Sequence, residues 1–570
     1  MKKSIIYILG IIILLSGCTF LDKEPDLRAD INSRKKIQLL LVSGYAMPNI
    51  AALGETMSDN AVDNNSPDRS GKCQNLEPID QMYTQYFTFA DITASTNVDS
   101  PFWIWQCCYQ NIAVANHALK AIDQVESQTG EKLNAERAEA LMIRAYNHFI
   151  LVNVFCKAYR DENLSKQDVG IHYMKDVETT VRPQYDRSTV AEVYKNIEAD
   201  LVAALETYGV DDGYYSVPKY HFNKSAAYAF AARFYLFIRK YDKVIEYANL
   251  VLGSDPLALM WDAKTAKEYG NADNERDAWF DASSPANLML TTTYSVFSRA
   301  FWPTYARYVL NREALDLTIN GDGPNWSGRF PGFNTWHYDQ TYGAWLTKRE
   351  EYFEYTDKVA GIGHPCMLRR EFTTGETLLC RAEAEIMTGQ MDAAIADMNI
   401  WTKGYLCKED LIGRYIEDFF SLDKNEQARE EEGEKERIYE RYFQIVPTLH
   451  CTDMSPLWTE YTENKLPYIW CVLHFRRIEN LHDGTRFYDI KRYGIEITHY
   501  FGPEKNKYFL SWNDDRKAVQ LPQEVIIAGQ PKNERINTGD NNSAIVSGIQ
   551  TNVDDFYRPN VTYTATISRP

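Results

Sequence analysis

The sequence contains none of the motifs that commonly mark a catalytic or nucleotide-binding centre. It lacks H-E-x-x-H, G-x-S-x-G, Walker A and G-x-G-x-x-G, which hold a metal, a nucleophile or a phosphate. Basic residues are in deficit, since 61 Lys and Arg face 79 Asp and Glu, and the formal net charge is −18. A phosphate backbone is repelled by such a chain, so we expect no nucleic-acid partner. These absences disfavour an enzyme, although two carboxylates that hydrolyse a glycoside would leave no motif.

The cysteines show no metal-binding arrangement. Ten are present, and none falls in a C-x-x-C pair or a zinc-spaced Cys/His cluster. The segment INGDGPN at 319–325 resembles half of a calcium loop but lacks the closing glutamate. We therefore predict no metal and no cofactor. Cys156 and Cys380 lie in apolar helical patterns, which indicates that most cysteines are small buried residues, while a disulfide involving Cys73 stays open.

Hydrophobic runs long enough to cross a membrane are missing. The apolar run at residues 5–15 has 11 residues, whereas a spanning helix needs about 20. Two lysines precede the run and Ser16-Gly17-Cys18 follow it, which predicts a secretory signal at 1–17. The cysteine at the cut resembles a bacterial lipobox. Cys18 is therefore the expected lipidation site, and residues 18–35 are the expected lipidated tether.

Aromatic residues, by contrast, are abundant, with 38 Tyr, 25 Phe and 12 Trp. Tyr and Trp combine an apolar ring with a polar group, which suits binding surfaces. The stretch 257–369 holds five of the twelve tryptophans and many Gly and Pro residues, without helical periodicity. This stretch, the aromatic insert, is predicted to form long loops with short strands.

The remaining chain carries strong helical periodicity. Segments 134–157 and 188–208 place apolar residues three and four positions apart, with Asn134 as the predicted N-cap of the first. Thr189 and Glu192 match a capping box at the start of the second. Two such helices, without a long strand pattern beside them, predict a mainly α fold.

Two helical hairpins are also predicted. Residues 222–256 predict two helices joined by a turn at 240–242, with Asn223 as the first cap. Residues 371–405 repeat the arrangement, with Gly389 at the turn. Short turns force antiparallel helices, and alanines at matched places resemble tetratricopeptide units, although the spacing is irregular. We expect a tetratricopeptide-like helical-hairpin scaffold with a loop-rich, mixed α/β ligand-binding region.

Five segments resemble one protein family in order along the chain. They are CTFLDKEPD at 18–26, WQCCYQNIAVANHAL at 105–119, AERAEALMIRAYNHFILVNVF at 135–155, RRIENLHDGTRFYDIKRYG at 476–494 and LPQEVI at 521–526. These segments resemble the SusD/RagB nutrient-binding lipoproteins of Bacteroidetes. The resemblance implies a lipid anchor at the cell-surface side of the bacterial outer membrane. It also implies a SusC-like TonB-dependent transporter as partner.

The predicted organisation follows from these boundaries. The divisions are a signal at 1–17, a tether at 18–35, a helical SusD-like N-terminal part at 36–256, the aromatic insert at 257–369, a helix pair at 370–405 and a SusD/RagB C-terminal region at 406–570.

Ligand-binding residues are expected in the aromatic insert and in one earlier loop. Sugar rings stack on Trp and Tyr, while Asn, Asp, Gln and Arg hydrogen-bond to hydroxyls. The candidates in the insert are Trp326, Arg329, Asn334, Trp336, Tyr338, Asp339, Tyr342 and Trp345. The second set is Tyr83 and Tyr86, with Phe89, Asn97 and Asp99 nearby. In the family, ligand-binding aromatics come from loops of these two kinds.

Arg486, Asp489 and Arg492 share one face of a predicted helix because they are three residues apart. Two interpretations exist, a grip on an anionic ligand and a structural ion-pair network, and the second is favoured. The functional hypothesis is capture of an oligosaccharide and its transfer to the transporter. The alternatives are peptide uptake, as in RagB-like members, and a helical-repeat scaffold for protein contacts.

Overall fold

The computed structural model describes residues 31–45, 48–68, 71–179, 185–213, 215–262, 265, 268–302, 305–316, 318–319, 336–339, 343–346, 348, 350–405 and 465–538, with 336–339 and 343–345 in backbone alone. The signal, Cys18 and most of the tether lie outside this range. Residues 426–441, where charges alternate at a spacing that predicts a solvated helix, lie outside it as well. The calcium-like segment lies outside it beyond Ile319.

Helices form most of the secondary structure, and the mainly α fold class is confirmed. The helices before the insert are α1 Arg34–Val42, α2 Ala51–Thr56, α3 Gln81–Phe87, α4 Pro101–Thr129, α5 Asn134–Phe155, α6 Glu162–Ser165, α7 Val190–Val202, α8 Lys224–Phe237 and α9 Tyr241–Leu252. The later helices are α10 Ala272–Trp279, α11 Phe297–Ala300, α12 Arg312–Asp316, α13 Thr374–Met387, α14 Met391–Gly404, α15 Leu466–Glu479, α16 Arg486–Arg492 and α17 Gln523–Ile527.

The strands form small antiparallel sheets. They are β1 Val62–Asp63, β2 Asn287–Tyr294, β3 Tyr308–Val309, β4 Trp336–Asp339, β5 Gly343–Trp345, β6 Glu351–Asp357, β7 Ile362–Thr373, β8 Ile497–Phe501 and β9 Asn506–Leu510. In the largest sheet the strand order is β2-β7-β6, so the long strand β7 lies in the centre. The two-stranded sheets pair β1 with β3, β4 with β5 and β8 with β9.

Helix α5 is the central element of the scaffold. Every residue from 138 to 155 is buried, and α4 and α7 pack on it. A helix enclosed in this way needs partners for its polar side chains. Arg144 finds one in Asp200 of α7, with both N–O distances at 2.7 Å.

Helix caps were predicted for α5 and α7. The capping box of α7 is confirmed, because the Thr189 hydroxyl accepts the Glu192 amide at 3.2 Å and the Glu192 carboxylate accepts the Thr189 amide at 3.0 Å. The prediction for Asn134 was wrong. Leu133 occupies the cap position of α5, and its amide donates to the Glu126 carboxylate at 2.9 Å.

Both predicted hairpins are present. Asn223 caps α8 by accepting the Ala226 amide at 3.0 Å. The turn to α9 passes through Arg239 with φ of +61°, slightly before the predicted turn at 240–242. Between α13 and α14 the turn uses Gly389 with φ of +82°. Helix α9 packs on α13, so the two hairpins lie side by side despite the insert between them.

The aromatic insert contains more regular structure than its sequence indicates. Strands are present as predicted, but short helices α10, α11 and α12 are additional. Asn271 caps α10, and this signal was missed because the helix is only 8 residues long. The predicted boundary at residue 369 falls inside β7, which continues directly into α13.

A buried ion-pair network joins α13, α15 and α16. Asp489 lies 3.1 Å from Arg476 and 2.6 Å from Arg492, and Arg492 also reaches Glu383 at 2.8 Å. Arg476 is 2% exposed and Asp489 is 1% exposed. The structural interpretation of Asp489 and Arg492 is therefore confirmed, because no ligand reaches groups enclosed in this way.

Arg486 belongs to a second network, which joins the segment after α2 to α15 and α16. Asp59 is 23% exposed and binds two buried arginines, Arg477 at 3.3 Å and Arg486 at 2.8 Å. Breaking a buried charge pair typically costs about 3–5 kcal/mol, because the remaining charge is left without a partner. Helices α15 and α16 are thereby fixed to the N-terminal helices.

Six cysteines are buried and unpaired, namely Cys107, Cys108, Cys156, Cys366, Cys380 and Cys471. The prediction of small buried residues is confirmed for them. Cys73 is exposed and forms no disulfide with any cysteine that the structure describes.

Gly484 allows the closest approach between the N-terminal and C-terminal parts. Its φ is +80°, and a Cβ there would lie 2.5 Å from the Ile50 carbonyl oxygen. Its amide donates to the Glu55 carboxylate at 3.0 Å. Only glycine satisfies both the backbone angle and the space.

We expect Gly484→Ala to lower the midpoint of thermal unfolding much more than Gly130→Ala. Gly130 has φ of +73°, and no atom lies within 4 Å of the position that a Cβ would take. Gly130→Ala therefore measures only the cost of the left-handed backbone, about 1–2 kcal/mol. The additional clash at Gly484 should bring its cost to more than about 3 kcal/mol. Equal shifts in differential scanning fluorimetry would contradict the close approach.

The stabilising effect of Asp489 should depend on pH. Burial alone raises the pKa of this carboxyl, but Arg476 and Arg492 outweigh burial and lower the pKa to about 2. In the unfolded chain an Asp carboxyl has a pKa of about 4. The contribution of the Asp489 carboxylate to the free energy of unfolding is therefore complete above about pH 4 and is lost as pH falls toward about 2.

The difference in urea midpoint between wild type and Asp489→Asn should consequently narrow from pH 6 to pH 3. A difference that stays constant over this range would mean that the carboxylate charge is not the stabilising feature.

Candidate functional site

Four of the eight ligand-binding candidates in the insert lie outside the described residues. This holds for Trp326, Arg329, Asn334 and Tyr342. Trp336, Tyr338 and Asp339 are on β4 and Trp345 is on β5, where the backbone pairs Trp336 with Trp345. The hairpin brings the two tryptophan positions together, and their ligand role stays a prediction.

The second candidate set is corrected by the structure. Tyr83 and Tyr86 are each 1% exposed, so neither ring is open to a ligand. They contact each other edge to face at 6.4 Å, and the Tyr86 hydroxyl donates to the Asp99 carbonyl at 2.9 Å. Phe89 is also buried and stacks on His499 at 4.8 Å. These aromatics fill the core because α3 packs on α2.

A different group of rings is open to solvent beside the largest sheet. Trp103 and Tyr294 are half-buried, and His364 is exposed. The ring centroids are 6.5 Å apart for Trp103 and Tyr294, and 4.9 Å apart for Tyr294 and His364. We call Trp103, Tyr294 and His364 the ring cluster. It combines the first turn of α4, the end of β2 and the outer part of β7.

The pairing of strands explains how the ring cluster forms. Tyr294 pairs with Cys366 and Glu354 pairs with His364. Side chains two residues apart on a strand share a face, so Tyr294 lies diagonal to His364. Trp103 is brought beside them by the capped start of α4, where the Ser100 hydroxyl accepts the Trp103 amide at 3.2 Å.

Glu354 lies beside these rings, whereas Glu351 projects from the opposite face of β6. Burial and the neighbouring Glu354 carboxylate, which hydrogen-bonds to the hydroxyl, raise the pKa of Tyr294. Arg299 grips Glu351 of β6 with two nitrogens, one at 2.8 Å. This bond to Glu351 is the main reason that the pKa of Arg299 is raised. The Arg299 side chain is nevertheless 44% exposed and retains hydrogen-bonding capacity toward solvent.

The β6–β7 hairpin presents further apolar groups. Phe353 is 42% exposed and Tyr355 is 51% exposed, with ring centroids 4.8 Å apart. Their positions alternate with Glu354, so they project from the opposite face of the strand. Tyr305, after α11, is 54% exposed and stacks beside Trp302 at 6.0 Å.

The arrangement suits a hydroxyl-rich ligand with apolar faces. Aromatic rings accept the C–H face of a sugar, while the Glu354 carboxylate supplies acceptors for hydroxyls. The described residues contain no group of three or more His, Cys, Asp or Glu that could hold a metal ion. Among these same ranges, no helix has the length and apolar character needed to span a membrane.

A polar cavity of about 200 Å³ lies elsewhere, at the turn between α8 and α9. Arg160 on its wall is engaged by Asp168 at 2.6 Å. We place the candidate site at the ring cluster because its rings and the neighbouring Glu354 carboxylate are accessible to solvent.

The ring cluster was missed in the sequence because its members are far apart in the chain. Trp103 precedes Tyr294 by nearly 200 positions, and only antiparallel pairing brings His364 to Tyr294. The usable signal was the polar and aromatic segment at 351–357, which forms an exposed edge strand of the same sheet.

The chain resembles known proteins in sequence and in fold. Residues 19–236 match the family model SusD-like_3, described as starch-binding and associating with the outer membrane. This part of the chain is similar to the SusD-like family. The family match covers its N-terminal part, and Trp103 lies inside it. No curated protein matches the sequence.

Solved structures extend the likeness to most of the chain. A SusD superfamily protein from Bacteroides thetaiotaomicron VPI-5482 is 17% identical, with a TM-score of 0.54 over 88% of this chain and 99% of that one. A SusD superfamily protein from Bacteroides vulgatus ATCC 8482 is 19% identical, with a TM-score of 0.53 over 87% and 97%.

A SusD-like carbohydrate binding protein from the same B. vulgatus strain is 16% identical, with a TM-score of 0.52 over 84% and 88%. At such identities the three structures establish the SusD-like fold. The motif residues Tyr109 and Asn116 have structural roles within this fold, since both side chains donate to backbone carbonyls of the 172–176 segment, at 2.9 Å and 3.2 Å.

Proposed function

We propose that this SusD-like protein captures an oligosaccharide at the outer membrane and passes it to a SusC-like TonB-dependent transporter. The observation that carries the proposal is the solvent-open ring cluster with Glu354 beside it. A sugar stacked on Tyr294 would bring its hydroxyls within reach of this carboxylate. Trp326 and Trp336 of the insert are further predicted ligand-binding residues.

The anchor in this proposal is a lipidated Cys18. The basic start, the short apolar run and the small residues before Cys18 support it. Several acyl chains on one residue give stable membrane attachment. The tether that follows would hold the helical body at the cell surface, where it meets the transporter.

Binding without covalent chemistry completes the proposal. The acidic groups of β6 are engaged in pairs, Glu351 with Arg299 and Glu354 with Tyr294. Such pairs suit the orientation of a ligand by hydrogen bonds. Conversion of a bound glycan to smaller products by the purified protein would contradict this part.

The competing ligand class is a peptide. The formal charge of −18 favours a cationic peptide over an anionic one. A peptide would bind through its backbone groups, for which β6 offers an edge strand. A binding test must therefore include both ligand classes.

Calorimetric titration of the soluble chain against plant, host and microbial glycans and a peptide mixture tests the proposal. We expect a glycan to bind, and we expect Tyr294→Ala to weaken the binding by about tenfold because a stacking face is lost. Trp326→Ala and Trp336→Ala should weaken it likewise. The control Tyr220→Ala removes a ring that is 50% exposed. Its neighbours Lys219 and Asn223 contact Ser284 and Leu288 at the start of β2, whereas Tyr294 ends that strand, so the control should leave affinity unchanged.

Binding of peptides in place of every glycan would contradict the proposed ligand class. An unchanged affinity of Tyr294→Ala, with glycan binding intact, would place the glycan elsewhere on the protein.

Lipidation predicts where the protein is found in cells. The Cys18→Ala variant cannot be acylated, so it should leave the outer-membrane fraction, whereas wild type should stay there. Mass spectrometry of the mature N-terminus should show an acylated Cys18. A wild-type protein that begins at Cys18 without acyl groups would contradict the anchor.

A further inference from the structure

Asp99 occupies an unusual position directly before the ring cluster. Its φ is +68°, a left-handed conformation that Asp and Asn adopt more readily than most residues. It is fully buried, and Ser100, the next residue, caps the helix that carries Trp103. A strained and buried acidic residue at the start of a helix requires strong partners.

The partners of Asp99 follow Tyr294 in the chain. One carboxylate oxygen, Oδ2, accepts the Ser295 hydroxyl at 3.0 Å and the Val296 amide at 2.9 Å. The carboxylate therefore links the residues just after Tyr294 to a residue four positions before Trp103. These two ring-bearing segments are joined by one side chain.

A second layer fixes Ser295 itself. The Asn49 amide donates to the Ser295 hydroxyl oxygen at 2.6 Å, and the Phe297 amide donates to the same oxygen at 3.0 Å. Asn49 in turn accepts from Arg369 of β7 at 2.7 Å. The connection from Asp99 thus continues into the strand that carries His364.

The remaining groups around Asp99 come from α3 and its cap. The Tyr86 hydroxyl donates to the Asp99 carbonyl, and Tyr83 and the Asp80 carboxylate lie nearby. Burial raises the pKa of Asp99 to about 6, whereas the bonds from Val296 and Ser295 act in the opposite direction. The carboxyl is therefore ionised in assays at pH 8.

We propose that Asp99 is a positioning residue that fixes Trp103 beside Tyr294. The inference rests on the proposed function, since the ring cluster is taken as the glycan-binding surface. Asp99 has no exposed surface and does not touch a ligand. Its effect on affinity is transmitted through Ser295 and Val296, which set the position of Tyr294.

Two substitutions separate positioning from general stability. Asp99→Asn keeps a side-chain oxygen for the Ser295 and Val296 donors and tolerates the positive φ, so it should preserve affinity within about twofold. Asp99→Ala removes the acceptor and should weaken glycan binding by about tenfold or more. Val244→Ala, at a fully buried position of α9, is a destabilised control that should bind as wild type does.

Hydrogen–deuterium exchange without ligand gives a readout that does not depend on the proposed function. Asp99→Ala should raise exchange in peptides that cover 97–103 and 293–300, and Asp99→Asn should restore protection. Val244→Ala should leave both peptides unchanged.

The outcomes are distinguishable. Unchanged exchange in both peptides of Asp99→Ala would overturn the inference, whatever the wild-type protein binds. If wild type binds a glycan and Asp99→Ala binds it equally well, the positioning role is also wrong. Failure of wild type to bind any glycan, with altered exchange in Asp99→Ala, would contradict the proposed function and leave the structural link supported.

Discussion

The fold depends on buried charges that connect distant parts of the chain. Asp489 is shared by Arg476 and Arg492, and Asp59 binds Arg477 and Arg486. Each carboxylate lies between guanidinium groups, which offsets the cost of burial by direct attraction. These pairs join the segment after α2 to α15 and α16, and Arg492 also reaches Glu383 of α13. Helices α15 and α16 therefore cannot move independently of the N-terminal helices.

Strand β7 extends this rigid body toward the candidate site. Its inner part is held by hydrogen bonds from arginines: Arg369 donates to Asn49 at 2.7 Å, and Arg233 donates to the Glu371 carbonyl at 2.8 Å. Its outer part, from 362 to 364, emerges toward solvent and carries His364. One strand thus begins at an exposed edge and ends in the most constrained part of the scaffold. Rings on such a strand keep their positions, which reduces the entropy lost on binding.

The scaffold was predictable from the sequence because its signals are local. Apolar residues three and four positions apart gave α5 and α7, and Thr189 with Glu192 gave a cap that the structure confirms. The spacing of Asp489 and Arg492 was enough to place them on one helix face. Their burial followed from the favoured ion-pair interpretation.

The site was not predictable in the same way. An aromatic residue has the same identity in a core as on a surface, and Tyr83 and Tyr86 proved to be buried while Trp103 is half-buried. The ring cluster is formed by antiparallel pairing between β2 and β7, whose partners lie more than 70 residues apart. No local pattern records this register. Asp99 illustrates the same limit, because its partners Ser295 and Val296 are identified only by the fold.

The most direct test of the account is a crystal structure of the protein with a bound oligosaccharide. The account predicts a sugar ring within about 4 Å of Tyr294, in contact with Trp103 or His364 and with hydroxyls bonded to Glu354. A glycan bound on the helical hairpins, with the ring cluster empty, would contradict it.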